Sequence, residues 1–381
     1  LTAQLIQRLA AVFGDDIQVY HSKLNHHQRV EIWNAVMAGQ KIILGARSSL
    51  FLPFQDLGLV IIDEEHDPSY KQSEPAPRYQ GRDTAIYLAH MHKAEVILGS
   101  ATPSLSSYYN ASLGKFGLVS LMQRHGSAPL PTIEIIDLRE KYKKGLMQSI
   151  FSNTLKDAID NALAREEQVL IFQNRRGYSP TLQCTFCDFK AECPNCDVGL
   201  TVHKYFDQLR CHYCGYQVKL PKLCPSCGQE TLKRIGYGTE KIEDEIAKVF
   251  PKARIQRMDY DTANTKTKYE SILWDFKNGE IDILIGTQMI TKGLDFANLS
   301  VVAVPDGDRI LNFPDYQANE RAFQLFTQVA GRAGRRDVQG KVFIQTFNPN
   351  HPVIQETQTV KGTPTVSVPT ILSPHQYYIE T

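Results

Sequence analysis

Residues 57–66 read LGLVIIDEEH, an apolar run broken abruptly by four consecutive polar side chains, Asp63, Glu64, Glu65 and His66. A run this short and this rich in Leu, Val and Ile fits a strand buried on both faces, as in a parallel sheet covered by helices. In such sheets ligands bind outside the C-terminal ends of the strands, which is where the acidic group falls. The same pattern recurs upstream and downstream, in KIILGAR at 41–47 and AEVILGSAT at 94–102. It returns in QVLIFQNRRGY at 168–178, ARIQRMDYD at 253–261, IDILIGTQM at 281–289, LSVVAVPDGD at 299–308 and GKVFIQTF at 340–347. Helical stretches lie between them. NHHQRVEIWNAVMAG at 25–39 predicts a helix capped by Asn25, with Val30, Trp33 and Met37 on its apolar face. Alternating strands and helices define an α/β protein with two parallel-sheet lobes.

Between these lobes' strands sits a different kind of sequence. All eight cysteines fall between 184 and 227, as four C-x-x-C pairs: Cys184/Cys187, Cys193/Cys196, Cys211/Cys214 and Cys224/Cys227. The 381 residues are 42% hydrophobic and carry a formal charge of +1, which neither announces nor excludes a polyanionic partner. No secretory leader pattern and no run of about 18 apolar residues occurs, so a cytoplasmic protein without membrane insertion is expected. There a disulfide framework would be reduced, whereas paired thiolates hold Zn²⁺. Two Cys₄ zinc sites are therefore expected, with His203 and His212 as bystanders. VGLTVHKYFDQLR at 198–210 predicts a hairpin, which favours nesting: Cys193/Cys196 with Cys211/Cys214 inside, Cys184/Cys187 with Cys224/Cys227 outside. Sequential pairing is the alternative. From 184 to 234 seven Lys/Arg face five Asp/Glu, and eight thiolates with two Zn²⁺ leave the module near −2, unsuited to clamping phosphates generally.

The expected organisation follows. Residues 1–120 form the first lobe, 121–150 a linker rich in Pro, Arg and Lys, and 151–180 with 235–355 the second lobe. The Cys-rich module occupies 181–234 and a poorly ordered tail 356–381.

Asp63 and Glu64 at a strand end suit nucleoside triphosphate hydrolysis, one carboxylate holding Mg²⁺ through water while its neighbour orients the attacking water. The plain alternative is a solvated acidic loop. Ser100 and Thr102 of GSATPS could hydrogen-bond this cluster. In QVAGRAGR at 328–335, Arg332 and Arg335 are three apart and could neutralise charge on a γ-phosphate; a solvent-facing basic helix end is the alternative.

The order of DEEH, SAT, QNRRGY, GTQMITKGLD and QxxGRxGR matches the superfamily-2 helicases. With the eight-cysteine insertion after QNRRGY, the chain from 1 to 355 resembles the PriA-type replication-restart helicases, also known as primosomal protein N′. The resemblance implies two RecA-like lobes with an inserted double-zinc module, and an ATP-driven, Mg²⁺-dependent 3′-to-5′ DNA helicase. It implies branched forks and single-stranded DNA as partners, together with single-strand-binding protein and primosome proteins. By position Asp63 would hold Mg²⁺, Glu64 activate water and His66 couple hydrolysis to DNA. Arg332 and Arg335 would meet the γ-phosphate, and Gly293, Asp295 and Gln328 the nucleotide. Arg47, Ser48, Arg175, Arg176, Thr287 and Gln288 would contact DNA. So would Tyr70, Lys71, Arg78 and Tyr79, in a loop at 67–83 that interleaves rings with cations but lacks the family's Trp. No G-x-x-x-x-G-K-[ST] phosphate loop occurs in the 381 residues. The expectation is a fragment with little hydrolysis of its own, against the rival of a non-catalytic binding remnant.

Overall fold

The computed structural model describes residues 3–21, 24–120, 131–173, 181–187, 189–196, 199–203, 207–211, 214–235, 239–259, 262–263, 265–287, 290, 296–313, 315–334, 340–359 and 370–371. They divide into two units, 1–124 with 363–381, and 125–362.

In the first unit α1 (Ala3–Phe13) leads to β1 (Ile17–Tyr20), α2 (His26–Met37) and β2 (Ile42–Gly45), which pairs in parallel with β1. Asn25 caps α2 in a reciprocal box with Gln28, as its sequence predicts. The buried face is not the expected one. Ile32 and Val36 pack against Leu52, while Val30, Trp33 and Met37 are exposed. The helix carries apolar residues on two stripes, and contact with Leu52 and Ile43 buries the one that holds Ile32 and Val36. Gly45 is required where it stands, because a Cβ there would lie 2.0 Å from Ser49 Oγ as the 47–51 turn folds back.

β3 (Leu59–Asp63), α3 (Gly81–His92), β4 (Glu95–Gly99) and α4 (Leu105–Ser112) follow. β3 and β4 are parallel, with Asp63 opposite Gly99, so the acidic and the Ser-Ala-Thr segments leave the sheet side by side. Ile62, Val96 and Leu98 bury one face against Ala85 and Ala89 of α3. Leu59 and Ile61, pointing the other way, are exposed. The pairing is parallel as expected, but these strands form two small sheets rather than one, and residues 370–371 add an antiparallel strand to β4.

The second unit starts inside the expected linker. Thr132–Asp137 is a strand, β5, followed by α5 (Leu138–Lys143), the hairpin β6 (Met147–Gln148) and β7 (Phe151–Ser152), and α6 (Asn153–Ala164). β5 pairs along six residues with a strand some 200 positions later, a partner that local composition does not reveal. β8 (Gln168–Phe172) precedes the Cys-rich insertion. There β9 (Thr181–Cys184), β10 (Thr201–His203), β11 (Gln208–Arg210), β12 (Gln217–Lys219) and β13 (Leu232–Ile235) form an antiparallel sheet in the order 12-11-10-9-13. β10 and β11 are the expected hairpin, and β9 with β13 brings the module's entry beside its exit.

The chain then returns through α7 (Thr239–Val249), β14 (Ile255–Met258), α8 (Lys266–Lys277), β15 (Ile283–Gly286), β16 (Leu299–Val304), α9 (Asp308–Leu311), α10 (Ala318–Ala330), β17 (Lys341–Thr346) and α11 (Pro352–Thr359). α11 runs past Glu356, where the tail was expected to begin. Six parallel strands in the order 14-15-8-16-17-5 form the sheet. Alternate residues of β8 feed opposite cores: Leu170 and Phe172 pack with Leu284, Val302 and Phe326, whereas Val169 and Ile171 pack with Leu155, Ile159 and Ile246. Both faces are thus covered by helices, which accounts for the continuous apolar runs.

Candidate catalytic, metal and nucleic-acid sites

At the end of β3 the chain turns sharply. Glu64 adopts a left-handed backbone, φ 52, a conformation that costs a bulky residue about 1–3 kcal/mol and so needs support from its neighbours. Support comes from the Glu65 amide donating to the Gly99 carbonyl (3.0 Å) and the Asp67 amide to the Glu64 carbonyl (2.8 Å). Within this turn His66 Nδ1 lies 2.5 Å from Ser100 Oγ and 3.6 Å from Glu64 Oε2. Ser100 Oγ in turn accepts the Thr102 amide (2.9 Å). The serine anticipated from GSATPS therefore joins the acidic cluster through the histidine. Burial raises the Asp63 carboxyl above its usual range against the pull of the Glu64 amide, although the residue as a whole is open to solvent, which screens the effect.

Glu65, given no role by its position in the motif, is the most constrained of the four. It is 1% exposed, pairs with Arg82 Nη1 at 2.9 Å and accepts the Ser104 amide at 2.6 Å. Its only sequence signal was a third acid beside two that suffice for the chemistry.

Arg47, Ser48, Tyr70, Lys71 and Tyr79 are gathered around the 67–83 loop. Arg47 Nη1 donates to the Ser69 and Lys71 carbonyls (2.7 and 2.6 Å), so this guanidinium braces the loop. Tyr70 Oη donates to the Asp63 carbonyl at 2.7 Å; burial and then the charges of Asp63 and Asp67 push its phenol far up, keeping it protonated. Tyr79 stands edge-on to Phe51. Lys71 and Arg78 are exposed.

In the second unit Thr287 follows the last residue of β15 and is 9% exposed. Gln328 lies in the last turn of α10, and Arg332 in the turn beyond it, where the Gly334 amide donates to the carbonyl of Leu299, the first residue of β16. Thr287, after the C-terminal end of β15, and the Arg332 turn, beside the N-terminal start of β16, thus stand at opposite ends of the parallel strands. Gly340 permits that turn's close approach, since a Cβ there would meet Gly334 N at 2.3 Å. Arg175, Arg176, Gln288, Gly293, Asp295 and Arg335 lie outside the described residues.

The cysteines form two groups: Cys184, Cys187, Cys224 and Cys227, and Cys193, Cys196, Cys211 and Cys214. The pairing is nested, as the hairpin predicts. Sulfur separations of 3.7 Å (Cys184–Cys227), 3.6 Å (Cys187–Cys224) and 3.6 Å (Cys193–Cys214) are far beyond a disulfide bond of about 2.05 Å. They fit the edges of a tetrahedron with Zn–S bonds of about 2.3 Å. Burial opposes ionisation of Cys184, but hydrogen bonds from Thr231 Oγ1 and the Cys187 and Phe186 amides bring it down to about 6. The Tyr216 amide does the same for Cys214, to about 6. Burial and the neighbouring thiols push Cys187 up to about 12. Each cluster therefore mixes readily ionised and reluctant thiols, a set that a divalent cation would complete.

The PDGD turn after β16 buries two carboxyls. Asp308 accepts Thr346 Oγ1 (2.9 Å) and the Phe347 amide (2.6 Å), while Asp306 Oδ1 accepts the Arg309 amide and its Oδ2 has no hydrogen-bond partner among the described residues. Burial, then the charge of Asp308, pushes Asp306 up to about 6. Its folded value exceeds its unfolded one, so it favours folding at low pH, and that contribution is lost as pH rises from about 4 through about 6. Asp306→Asn is accordingly expected to stabilise the protein by about 3 kcal/mol at pH 8 and by much less at pH 4. Urea midpoints of the variant and parent at the two pH values check this; an equal difference at both would refute it.

Two α/β units, the second interrupted by a pair of Cys₄ clusters, define an α/β protein with a candidate metal-binding insertion. Residues 233–337 match the helicase conserved C-terminal domain, and 193–219 match the PriA DNA helicase Cys-rich region. The chain is 43% identical over 360 residues to the replication restart protein PriA of Bacillus subtilis, covering 94% of this chain and 44% of that protein. It is 43% identical over 368 residues to PriA of Synechocystis sp. (94% and 44%) and 44% identical over 357 residues to PriA of Chlamydia pneumoniae (93% and 48%). Over this span the chain is similar to the PriA replication restart proteins, and it spans about half the length of these relatives or less. Among the described residues no helix is long and apolar enough to cross a membrane.

Proposed function

We propose that this chain carries the motor part of a cytoplasmic, ATP-dependent 3′-to-5′ DNA helicase that acts on stalled or branched forks and assembles with single-strand-binding protein and primosome proteins. The observation that carries the reading is the β3 end, where Asp63, Glu64 and His66 are held in one turn and His66 is already bonded to Ser100 at the end of the next strand. MgATP, when bound, supplies the phosphoanhydride whose hydrolysis drives the motor. In this reading Asp63 would hold the cation, Glu64 would accept a proton from water, and His66 would pass changes at this turn to Ser100. Thr287 serves DNA while Gln328, Arg332 and Arg335 serve the nucleotide, a division supported by the separation of Thr287 from the Arg332 turn along the strands of the sheet. Gly293 and Asp295 join the nucleotide group, and Gln288, Arg175 and Arg176 the DNA group.

The 381 residues lack a Gly-rich loop with Lys to cradle phosphates. That favours a second reading for these residues alone, a DNA- or protein-binding piece without turnover. Steady-state ATPase assays on the 381-residue chain are therefore expected to stay at background with or without DNA. DNA-stimulated turnover that vanishes in Glu64→Gln would overturn the expectation of inactivity. The helicase reading itself is tested on the chain joined to the segment that precedes it in its relatives, which should hydrolyse ATP in response to DNA.

A further inference from the structure

We propose that Glu65 is a positioning residue that sets the geometry between the hydrolytic turn and the segment after β4, and thereby the contact of His66 with Ser100. The proposal rests on reading residues 63–66 as the hydrolytic centre. One buried carboxylate gathers three elements: the end of β3 that bears it, α3 through Arg82, and the start of α4 through Ser104 and Ser107. Oε1 accepts the Ser104 amide at 2.6 Å; Oε2 accepts Arg82 Nη1 and Ser107 Oγ, both at 2.9 Å, and Ser104 Oγ at 3.1 Å. Arg82 Nη1 reinforces the cluster by also donating to Ser104 Oγ at 2.7 Å, while its Nε is held by Asp83 at 2.8 Å.

These bonds pin residue 104 to residue 65, and four residues earlier Ser100 meets His66 at 2.5 Å. The two segments are therefore tied at two points, and the Glu65–Ser104 tie is the stronger, its carboxylate acceptor being charged and both residues buried. Glu64 lies between the end of the strand and this anchor, in a left-handed backbone that relaxes if the anchor yields. A misplacement of about 1 Å at a catalytic group can cost about 100-fold in rate, so an anchor one residue away acts on turnover without touching substrate.

The test uses the double variant Glu65→Gln with Arg82→Gln, which keeps the volume at residue 65 and leaves no buried lone charge, and Ser107→Ala, which removes the hydrogen bonds of Ser107 Oγ to Glu65, Arg82 and Ser104 and leaves the ion pair intact. The first readout is the long-range ¹H–¹⁵N spectrum of the His66 ring in the 381-residue chain. Both variants should move the Nδ1 resonance toward its position in Ser100→Ala, the double variant further, with far-UV circular dichroism unchanged. A His66 resonance unmoved in folded Ser107→Ala and in the folded double variant overturns the proposal. The second readout is DNA-stimulated hydrolysis by the longer chain, where the double variant should lose about 10-fold or more in kcat with KM for ATP within about 2-fold. A merely structural role would lower the folded fraction and leave kcat per folded molecule unchanged, which also overturns it. If the longer parent chain hydrolyses no ATP the helicase reading fails, and the His66 spectra still decide the role of Glu65.

Discussion

Removing metal from the Cys-rich module with a strong thiol-competing chelator is expected to unfold residues 181–235 and leave the six-stranded sheet intact. The module's strands are three or four residues long, and its core is small: Leu182, Ala191, Leu200, Val202 and Leu209, completed by Cys193 and Cys211. An element of this size buries too little apolar surface to offset the entropy of ordering about 50 residues. Structural zinc supplies about 10–16 kcal/mol of apparent binding energy per site, which becomes folding energy when the apo form is unfolded. The sheet of the second unit has its own two cores and needs no metal. Metal analysis should give two zinc ions per chain. Cys193→Ser should release one and loosen the β10–β11 hairpin while the outer site persists. Cys227→Ser should free Cys184 and Cys187 to alkylation and open the β9–β13 pairing that closes the module's root. If alkylation in Cys227→Ser falls on Cys211 and Cys214 with Cys184 and Cys187 protected, the nested assignment is wrong.

The metal clusters were legible because ligand spacing is a local property: C-x-x-C fixes two sulfurs per pair, and a short hairpin brings two pairs together. The long apolar strands were legible for a similar reason, since burial on both faces leaves a continuous run such as VLIF at 169–172. What escaped depends on partners distant in sequence. β5 carries the short alternation TIEIID beside Pro, Lys and Arg, and only its pairing with β17 makes it a strand. α2 has two candidate stripes, and nothing within the helix tells that Ile32 and Val36 meet Leu52. Glu65 looked redundant as a third acid, because its function lies in Arg82, Ser104 and Ser107, none of which the motif contains. The motif marks where chemistry could occur; the contacts that hold it in shape are spread over two helices.

Glu64→Gln, made in the chain joined to the segment that precedes it in its relatives, is expected to lower DNA-stimulated kcat by about 10³-fold while leaving ATP affinity nearly unchanged. The substitution keeps volume and hydrogen-bonding shape but removes the only property the proposal needs from this side chain, the capacity to take a proton from water. Glu64 Oε2 lies 3.6 Å from His66 Nδ1, so the amide would also lose an electrostatic partner if the imidazole is charged. That loss is minor beside the missing base, since a partly exposed pair contributes little. Asp63→Asn provides the contrast. A cation ligand acts on binding as well as on chemistry, so this variant should need more Mg²⁺ for half-maximal rate, whereas in Glu64→Gln added Mg²⁺ should recover nothing. His66→Ala should differ from both by retaining basal hydrolysis and losing most of its response to DNA, because the role proposed for it is to pass changes at this turn to Ser100, its partner at 2.5 Å. Rates that fall equally in all three variants, with the same Mg²⁺ and DNA dependence as the parent, would mean that the turn at 63–66 is scaffold and that a different group activates water.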